Sequence, residues 1–375
     1  MKVPYSYLPQ QFGETEPILA EIRRTLLEHH QYTFGPELEE FEEKMADYAG
    51  SRFCLGTSSG TMSLSLLLKA AGVGPGDEVI TVSQTFVATV GSIVTVGARP
   101  FFVDVLDDFS MNPALLEEAL NEKTKAIMPV HYSGNPAHMD EIMKFASRHD
   151  LAVIEDACCA ISGRLGAKHV GTFGLGGAFS IHPLKNLNAW GDGGLAVTDS
   201  EEIRDKLFLL RNHGFSDGRD QVSLFGYNAR LDTIQAIVAN WLFPQIDSIT
   251  DQRIAHARRY DEAFGSSEFA GLISVPPRRE GARHVYHMYM VLARDRDELL
   301  KFLQARQIEA KIHYPIPVHL QEASLEQEVP FGRTDLSRTE AQCKSLITFP
   351  VHQHLSDEQI EYVIESVRLF YGGGA

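Results

Sequence analysis

The sequence has few cysteines, few basic residues relative to acidic ones, and no long apolar run. Its four cysteines form no C-x-x-C pair, so the usual spacing of a zinc site is missing. Lys and Arg number 34 against 50 Asp and Glu, a net charge of −16, which argues against a nucleic-acid partner. No apolar stretch approaches the ~18 residues of a membrane span. The first residues also lack the basic segment and apolar segment of a secretion signal. We therefore predict a cytoplasmic protein with no metal site, no membrane contact and no nucleic-acid partner.

What the sequence does contain is alternation. Between residues 50 and 200, short apolar segments alternate with segments of helical period such as Thr61–Ala71, Met111–Asn121 and Ala137–His149. This order favours crossover connections and a buried, mostly parallel sheet, hence an α/β fold. The seven predicted strands are Arg52–Gly56, Glu78–Ser83, Pro100–Asp104, Ala126–His131, Leu151–Glu155, Ala178–Ile181 and Leu195–Thr198.

The pattern changes after a helical run that ends near Trp241. A charged helix is predicted over residues 250–264, and it leads into a smaller α+β unit. The predicted elements of that unit are strand Tyr286–Ala293, helix Arg296–Arg306, strand Ile308–His313 and helix Asp357–Tyr371. A chain of 375 residues suits two domains. We predict a large domain over residues 1–245 and a small one over 246–375, with the N-terminal segment packed on the small domain.

Lys185 lies in a glycine-rich connection between two predicted strands, in the stretch AFSIHPLKNLNAWGDGG. Most lysines occupy solvated faces, but this segment offers no exposed helical face. Burial would lower the pKa of the amine, and a neutral amine can form a Schiff base with a carbonyl compound. Ser180, five residues earlier, offers a hydroxyl to an anion.

Asp156 directly follows an apolar strand in LAVIEDACC. A residue there lies at the carboxyl end of a parallel sheet, where ligands bind. Taken alone it is more readily interpreted as a turn former or helix cap. With a nearby Schiff-base lysine, it could instead be the anion that keeps a pyridinium nitrogen protonated.

The stretch CLGTSSGTMSL reads as strand, turn and helix. Gly60 and Thr61 open the helix, so their backbone N–H groups could bind a phosphate, although a plain Ser/Thr cap fits as well. The same residues match G-x-S-x-G, the nucleophile elbow of α/β-hydrolases, with Ser58 as the nucleophile. That alternative explains neither Lys185 nor Asp156. Phe86, at another strand end, suits an aromatic platform for a ring.

Taken together, these segments resemble the DegT/StrS (DegT/DnrJ/EryC) family of pyridoxal 5'-phosphate-dependent sugar aminotransferases, which have fold type I. The resemblance covers nearly the whole chain. Its motifs are SSGTMSL, VSQTFVAT, VIEDACCA, AFSIHPLKNLNAWGDGG, LFGYNARLDTIQAIV and IHYPIPVH.

The resemblance implies a role for each matching residue. Lys185 would carry the cofactor as a Schiff base and shuttle the proton, and Asp156 would pair with the ring nitrogen. Phe86 would stack on the ring. The phosphate would be held by Gly60, Thr61 and Ser180, and by Asn228 reaching over from a neighbouring subunit, so the enzyme would be a homodimer with shared sites.

Cys159 departs from the family pattern, which usually has Gln or His at this position near the cofactor's phenolic oxygen. A thiol is a weaker hydrogen-bond partner, so its role stays open. The intact Lys185 favours transamination over the dehydration performed by relatives that carry histidine there.

The expected reaction moves an amino group from a donor, L-glutamate by resemblance, to a keto- or aldehydo-sugar in amino-sugar biosynthesis. The default acceptor is a nucleotide-linked keto-sugar, while a free keto-sugar, a cyclitol or a sugar-acid aldehyde remains open. Residues expected to contact the substrate are His182, Tyr314 and His319. A protein that binds the cofactor without catalysis is a further alternative.

Overall fold

A computed structural model describes residues 1–218 and 220–372, and its central feature is a sheet of eight strands. Seven strands run in one direction, and Gly194–Thr198 runs against them. Their apolar residues are buried on both faces, as a covered parallel sheet requires. In spatial order the strands are Phe53–Thr57, Gly194–Thr198, Gly176–Ser180, Ala152–Asp156, Thr124–Ile127, Glu78–Val82, Arg99–Val103 and Gly332–Arg333.

The seven strands predicted from the sequence are all present in this sheet, so the mostly parallel α/β prediction is confirmed. The eighth strand, Gly332–Arg333, was not predicted. It has only two residues and comes from the C-terminal part of the chain, so no local alternation marks it. It pairs in parallel with Arg99–Val103 and covers what would otherwise be the edge of the sheet.

Helices pack on both faces of the sheet and around the C-terminal elements. No helix in residues 1–218 and 220–372 has the length and apolar character needed to cross a bilayer. The α-helices are Leu8–Gln11, Glu16–Glu28, Pro36–Ala49, Gly60–Ala70, Val87–Thr95, Leu116–Ala119, Met139–Arg148, Glu201–Leu210, Thr233–Leu242, Ile246–Phe264, Arg296–Ala305, Glu322–Leu325, Ser337–Ser345 and Asp357–Gly372.

The predicted helix Met111–Asn121 is wrong in its first half. Pro113 begins a 3₁₀ turn that ends at Leu115, and only Leu116–Ala119 is α-helical. Asn112 caps the turn by accepting a hydrogen bond from the backbone N–H of Ala114. An Asn-Pro pair favours the start of a turn. The prediction missed this turn because it relied on the spacing of apolar residues alone.

A second, antiparallel sheet lies in the C-terminal part, with strand order Ile273–Ser274, Tyr289–Ala293, Leu346–Phe349. The predicted strand Ile308–His313 does not form. Ile308 and Lys311 make single bridges, to Val3 and Thr348 respectively. The segment reads as a strand because apolar and polar residues alternate along it, but each of its bridges goes to a different neighbour.

The N-terminal segment crosses to the C-terminal elements. Val3 is fully buried in the core formed by the helix Ile246–Phe264, the second sheet and the last helix. Its N–H donates to the carbonyl of Gln307, and its carbonyl accepts from Glu309 N–H. This contact fits the expected packing of the N-terminal segment, while the division into domains at residues 245 and 246 stays a prediction.

Candidate active site

The carboxyl ends of three parallel strands, together with loops from both ends of the chain, enclose a cavity of about 340 Å³. Because the strands ending at Thr57, Asp156 and Ser180 run in parallel, the residues that follow them meet at one edge of the sheet. The cavity-lining residues used below are Tyr5, Gly60, Thr61, Phe86, Asp156, Cys158, Cys159, Ser180, His182, Lys185, Asp192, His287, His313 and Tyr314.

Lys185 lies in the loop between the strands Gly176–Ser180 and Gly194–Thr198. Its carbonyl accepts hydrogen bonds from the Tyr7 hydroxyl at 2.8 Å and from the side chain of Asn188 at 3.0 Å. These bonds fix the backbone and leave the amine free to enter the cavity. The Nζ atom lies 3.1 Å from the Cys159 sulfur and 3.5 Å from Nε2 of His287.

The charge of this amine differs from the sequence-based expectation. Burial alone lowers the pKa of Lys185, as predicted, but the neighbouring Cys159 and Cys158 sulfurs and the Asp156 carboxylate outweigh burial and raise it. The expectation of a lowered pKa was therefore wrong for the protein without cofactor. Without a cofactor, Lys185 is an ammonium group that donates hydrogen bonds.

Asp156 and Glu155 point to opposite faces of the sheet, as successive strand residues do. Asp156 lines the cavity, and its Oδ2 accepts a 2.6 Å hydrogen bond from the Thr89 hydroxyl. Glu155 is fully buried on the other side, where it accepts from the N–H groups of Gly171, Phe173 and Gly174. Of the two carboxylates, only Asp156 can therefore meet a ligand in the cavity.

The helix Gly60–Ala70 points its N-terminus at the cavity. Ser59 is the cap, and its hydroxyl accepts from the N–H of Met62 at 3.1 Å. The capping interpretation is therefore confirmed for Ser59, while Gly60 and Thr61 line the cavity and their role in anion binding stays a prediction.

Gly60 is held by close packing. A Cβ built on it would lie 2.7 Å from the Cys158 sulfur and 2.9 Å from the Ser180 Cβ. The turn therefore approaches the Ser180 strand more closely than any other residue type would permit. Gly194 plays a matching part, since a Cβ there would lie 2.3 Å from the Ser59 backbone.

Aromatic rings line the other side. Successive ring centroids from Phe86 to Tyr314, His313 and Tyr5 are 5.9, 5.3 and 5.7 Å apart. Phe86 is 53% exposed, an unusual state for a phenylalanine beside a cavity. Its exposed face is available to a ligand ring.

The histidines of the cavity are neutral. Burial and the nearby Lys185 lower the pKa of His182, and burial and the same lysine lower the pKa of His287 well below its usual value. Burial, Lys311 and Lys185 lower the pKa of His313 to about 4.

Seven of the eight candidate cofactor residues meet at this cavity: Gly60, Thr61, Phe86, Asp156, Cys159, Ser180 and Lys185. The eighth, Asn228, is exposed and lies outside it. Two of the substrate candidates, His182 and Tyr314, line the cavity.

His319 does not line it. It is buried at 4% exposure, with Nδ1 2.7 Å from the Ser83 hydroxyl and Nε2 3.2 Å from Glu340. Both ring nitrogens are thus occupied, and we withdraw His319 as a substrate ligand. Sequence reasoning instead missed Tyr5 and His287, which carry no motif signal, and it gave no role to His313, although His313 lies in the motif IHYPIPVH.

Ser58 makes no side-chain hydrogen bond to a histidine within residues 1–218 and 220–372, and it does not line the cavity. Its backbone N–H is bonded to the carbonyl of Ala229. The match to a nucleophile elbow is therefore a coincidence of a Ser/Gly-rich turn.

Comparison with known proteins agrees with this geometry. The model of the DegT/DnrJ/EryC1/StrS aminotransferase family matches residues 14–368. A pleiotropic regulatory protein of Geobacillus stearothermophilus is 38% identical, over 99% of each chain. The dTDP-3-amino-3,4,6-trideoxy-alpha-D-glucose transaminase of Streptomyces venezuelae is 37% identical, over 95% of this chain and 92% of its own. The UDP-N-acetyl-3-dehydro-alpha-D-glucosamine 3-aminotransferase of Acidithiobacillus ferrooxidans is 38% identical, over 92% and 91%.

Solved structures are similar as well. DesV of S. venezuelae, in complex with a ketimine intermediate, superposes with a TM-score of 0.92 at 36% identity over 98% of each chain. NtdA of Bacillus subtilis, with bound cofactor PMP, gives 0.88 at 29% identity over 98% of this chain and 84% of its own. The chain belongs to the DegT/DnrJ/EryC1/StrS aminotransferase family and is a fold type I aminotransferase that depends on pyridoxal phosphate.

Proposed function

We propose that the enzyme transfers an amino group from L-glutamate to the 3-keto group of a nucleotide-diphosphate-linked sugar, as a step of amino-sugar biosynthesis. The family match supports transamination. Two relatives that are 37% and 38% identical carry names specifying a 3-amino or 3-dehydro sugar linked to dTDP or UDP. The observation that carries the proposal is the meeting of Lys185, Asp156 and the Gly60 turn at one cavity.

These residues fit the cofactor. Lys185 would hold it covalently, Asp156 would face its ring nitrogen, and the N–H groups of Gly60 and Thr61 with the Ser180 hydroxyl would bind its phosphate. The close approach at Gly60 leaves these N–H groups accessible from the cavity, which a side chain there would fill. When bound, pyridoxal phosphate supplies the electron sink that stabilises negative charge on the substrate carbon.

The chain's own residues handle the proton. Lys185 Nζ is the basic amine in the cavity. It is therefore the group that would move the proton between the substrate carbon and the cofactor carbon. Asp156 would face the ring nitrogen with its carboxylate held in place, since the Thr89 hydroxyl and the Cys158 N–H both donate to it. The rings of Phe86 and Tyr314 would cover one side of the cofactor, while His182 and Tyr314 would contact the sugar.

The decisive experiment is a spectrum followed by a substrate screen. Wild-type protein incubated with pyridoxal phosphate should show a visible absorption band, and Lys185→Ala should lose it. L-glutamate should then discharge the band, and a nucleotide-linked 3-keto sugar should restore it in a single turnover. No band in the wild type would refute the cofactor role of Lys185. Restoration by a free keto-sugar, a cyclitol or a sugar-acid aldehyde, but by no nucleotide sugar, would refute the proposed acceptor.

Two alternatives have direct readouts in the same screen. One relative is named a pleiotropic regulatory protein. A protein that binds the cofactor without catalysis would show the band but no amination. A serine hydrolase would react at Ser58 with a phosphonate probe and lack the band.

We further propose that the active unit is a homodimer in which Asn228 reaches the phosphate of the partner's site. Asn228 is exposed and lies outside its own cavity, as a residue that serves another subunit must. Among the described residues, Lys185 is the one Lys or Arg that lines the cavity. An anionic substrate group would therefore need further positive charge from outside this chain's cavity.

Mixing two inactive variants tests shared sites. Lys185→Ala and Asn228→Asp should each be inactive as homodimers, the second because a carboxylate repels the phosphate. In a mixed dimer, one site carries both defects and the other carries none. Random reassociation of equal amounts should therefore restore about one quarter of wild-type activity. A mixture as inactive as its components would refute the crossing of Asn228.

A further inference from the structure

The helix Val87–Thr95 contains three hydroxyl side chains, and one of them bonds differently from the other two. Ser92 donates to the carbonyl of Thr89 at 2.8 Å, and Thr95 donates to the carbonyl of Ser92 at 3.2 Å. Both bonds return to the backbone of their own helix, as hydroxyls in helices often do. Thr89 instead donates to Oδ2 of Asp156, on a strand of the central sheet, at 2.6 Å. The Thr89 hydroxyl therefore serves a residue of the active-site cavity rather than its own helix.

The rotation of the Asp156 carboxylate is fixed from two directions. The terminal torsion of an aspartate has a broad range, so hydrogen-bond partners must select the plane of its two oxygens. Oδ1 accepts from the Cys158 N–H at 3.1 Å, and Oδ2 accepts from the Thr89 hydroxyl. The first donor lies in the turn after the Asp156 strand, and the second lies on a separate helix. Each oxygen keeps a further lone pair for a donor in the cavity.

Thr85 holds the Thr89 hydroxyl in turn. The two hydroxyl oxygens lie 2.7 Å apart, and both side chains are buried. An ionised carboxylate can only accept, so the single hydroxyl proton of Thr89 is directed at Asp156. Thr85 must then be the donor in the bond between the two threonines. The three side chains form one chain of hydrogen bonds with a single direction, from Thr85 through Thr89 to Asp156.

Thr85 and Thr89 lie on either side of Phe86 in the motif VSQTFVAT. Thr85 and Asp156 are among the residues that line the cavity, and Thr89 is not. An effect of Thr89 on the reaction must therefore pass through Asp156.

We propose that Thr89 is a positioning residue, which sets the plane of the Asp156 carboxylate toward the ring nitrogen of the cofactor, and that Thr85 holds Thr89 in the required rotamer. This inference rests on the proposed role of Asp156. Hydrogen bonds weaken steeply when donor and acceptor are misaligned, so a carboxylate that is free to rotate holds the ring proton less well. Loss of the Thr89 hydroxyl should therefore leave a smaller fraction of the cofactor protonated at the ring nitrogen and weaken the electron sink.

Solid-state nitrogen-15 NMR provides a direct test. The holoenzyme is prepared with pyridoxal phosphate labelled at the ring nitrogen, whose chemical shift distinguishes the protonated ring from the neutral one. Thr89→Val keeps the shape of the side chain and removes the hydroxyl, so the signal should move toward the neutral position. Thr89→Ser keeps the hydroxyl and should restore the wild-type position. Ser92→Ala is the matched control, because it removes a buried hydroxyl that bonds to the backbone of the same helix.

Thr85→Val is a second variant at a residue outside the helix. It leaves the bond from Thr89 to Asp156 in place and removes only the donor that holds Thr89. The signal should move in the same direction as in Thr89→Val, by a smaller amount. A wild-type signal in both variants would overturn the proposal, as would equal signals in Thr89→Val and Thr89→Ser.

A double-mutant cycle tests whether Thr89 acts through Asp156. In a single turnover with L-glutamate, Thr89→Val should lower the rate at saturation about ten-fold and leave the half-saturating concentration nearly unchanged. In an Asp156→Asn background the same change should lower the rate by less than about two-fold, because the charge that Thr89 orients is already absent. An equal fall in both backgrounds would overturn the proposal.

The NMR signal also separates this inference from the proposed function, because it requires neither the amino donor nor the sugar. A wild-type signal in Asp156→Asn would refute the role of Asp156 itself, and the inference with it. A shifted signal in Asp156→Asn together with a wild-type signal in Thr89→Val would refute the inference about Thr89 alone.

Discussion

The two walls of the active-site cavity are built on different physical principles. The wall at the strand ends carries the formal charges and the free backbone donors, from Lys185, Asp156 and the Gly60 turn. The opposite wall, from Tyr5, His313 and Tyr314, is aromatic, and every titratable group on it is neutral near pH 7. Burial lowers the pKa of His313 to about 4 and raises the pKa of both Tyr5 and Tyr314.

This difference indicates a division of labour. The charged wall suits a cofactor with an ionised phosphate and a protonated ring nitrogen, whose charges never leave the site. The neutral wall suits sugar hydroxyls and a carbonyl, which need hydrogen bonds and apolar contact without a fixed charge. Substitutions in the charged wall should therefore affect catalysis or cofactor affinity, and those in the neutral wall should affect substrate affinity.

The largest expected effect in this comparison is at Asp156. Asp156→Asn keeps the shape but removes the negative charge beside the ring nitrogen, so kcat should fall roughly 10²–10³-fold with the cofactor still bound. Asp192→Asn is the matched control, since it removes another carboxylate that lines the same cavity, and it should stay within a few-fold of wild type. Near-normal turnover of Asp156→Asn would show that Asp156 does not supply the negative charge beside the ring nitrogen.

A smaller effect is expected where the cofactor phosphate is bound. In Gly60→Ala the added methyl meets the Cys158 sulfur and Ser180, so cofactor affinity measured by titration should fall roughly ten-fold or more. Gly91→Ala is the control, because a Cβ at Gly91 has no neighbour within 4 Å. Equal affinities in the two variants would mean that the Gly60 turn does not form the phosphate site.

The neutral wall should respond differently. Tyr314→Phe removes one hydroxyl and keeps the ring contact with Phe86, so the KM for the sugar should rise roughly 2- to 10-fold. The kcat at saturating sugar should change by less than two-fold, because the lost bond is made equally in ground and transition states. A fall in kcat with unchanged KM would show that Tyr314 takes part in the reaction itself. That result would contradict the proposed division of roles between the two walls.

The smallest effect is expected at Cys159, on the border between the walls. Burial raises the pKa of its thiol, and a thiol is neutral below its pKa, so we expect Cys159 to stay uncharged at neutral pH. The visible band of wild type and Cys159→Ala should therefore titrate along the same curve. An additional transition in wild type alone would show that the thiol ionises beside the cofactor, and Cys159→Gln would then test the usual family hydrogen bond.

The two walls also differ in how far the sequence predicts them. Asp156 and Ser180 directly follow strands, and Gly60 opens a helix, so local patterns are enough to bring them together. Tyr5 and His313 are 308 residues apart, and the segment containing His313 reads as a strand that does not form. Its position depends on packing against the N-terminal segment, which local propensity does not describe.

The charge of Lys185 also could not be predicted from local sequence patterns. The sequence identifies Lys185 but not its charge, because Cys158, Cys159 and Asp156 act on it across the cavity. The family resemblance supplied what periodicity could not, namely the cofactor and a role for Asn228.

The strand Gly332–Arg333 has a consequence for synthesis on the ribosome. Its partner strand Arg99–Val103 emerges more than two hundred residues earlier, so during that time its outer backbone groups lack their final partner. Open edges of this kind attract strands from other chains, and domains of this size often pass through such intermediates. Truncated chains that end before residue 332 should therefore self-associate more readily than the full-length protein, because the last strand of this sheet to be synthesised is the one that covers this edge.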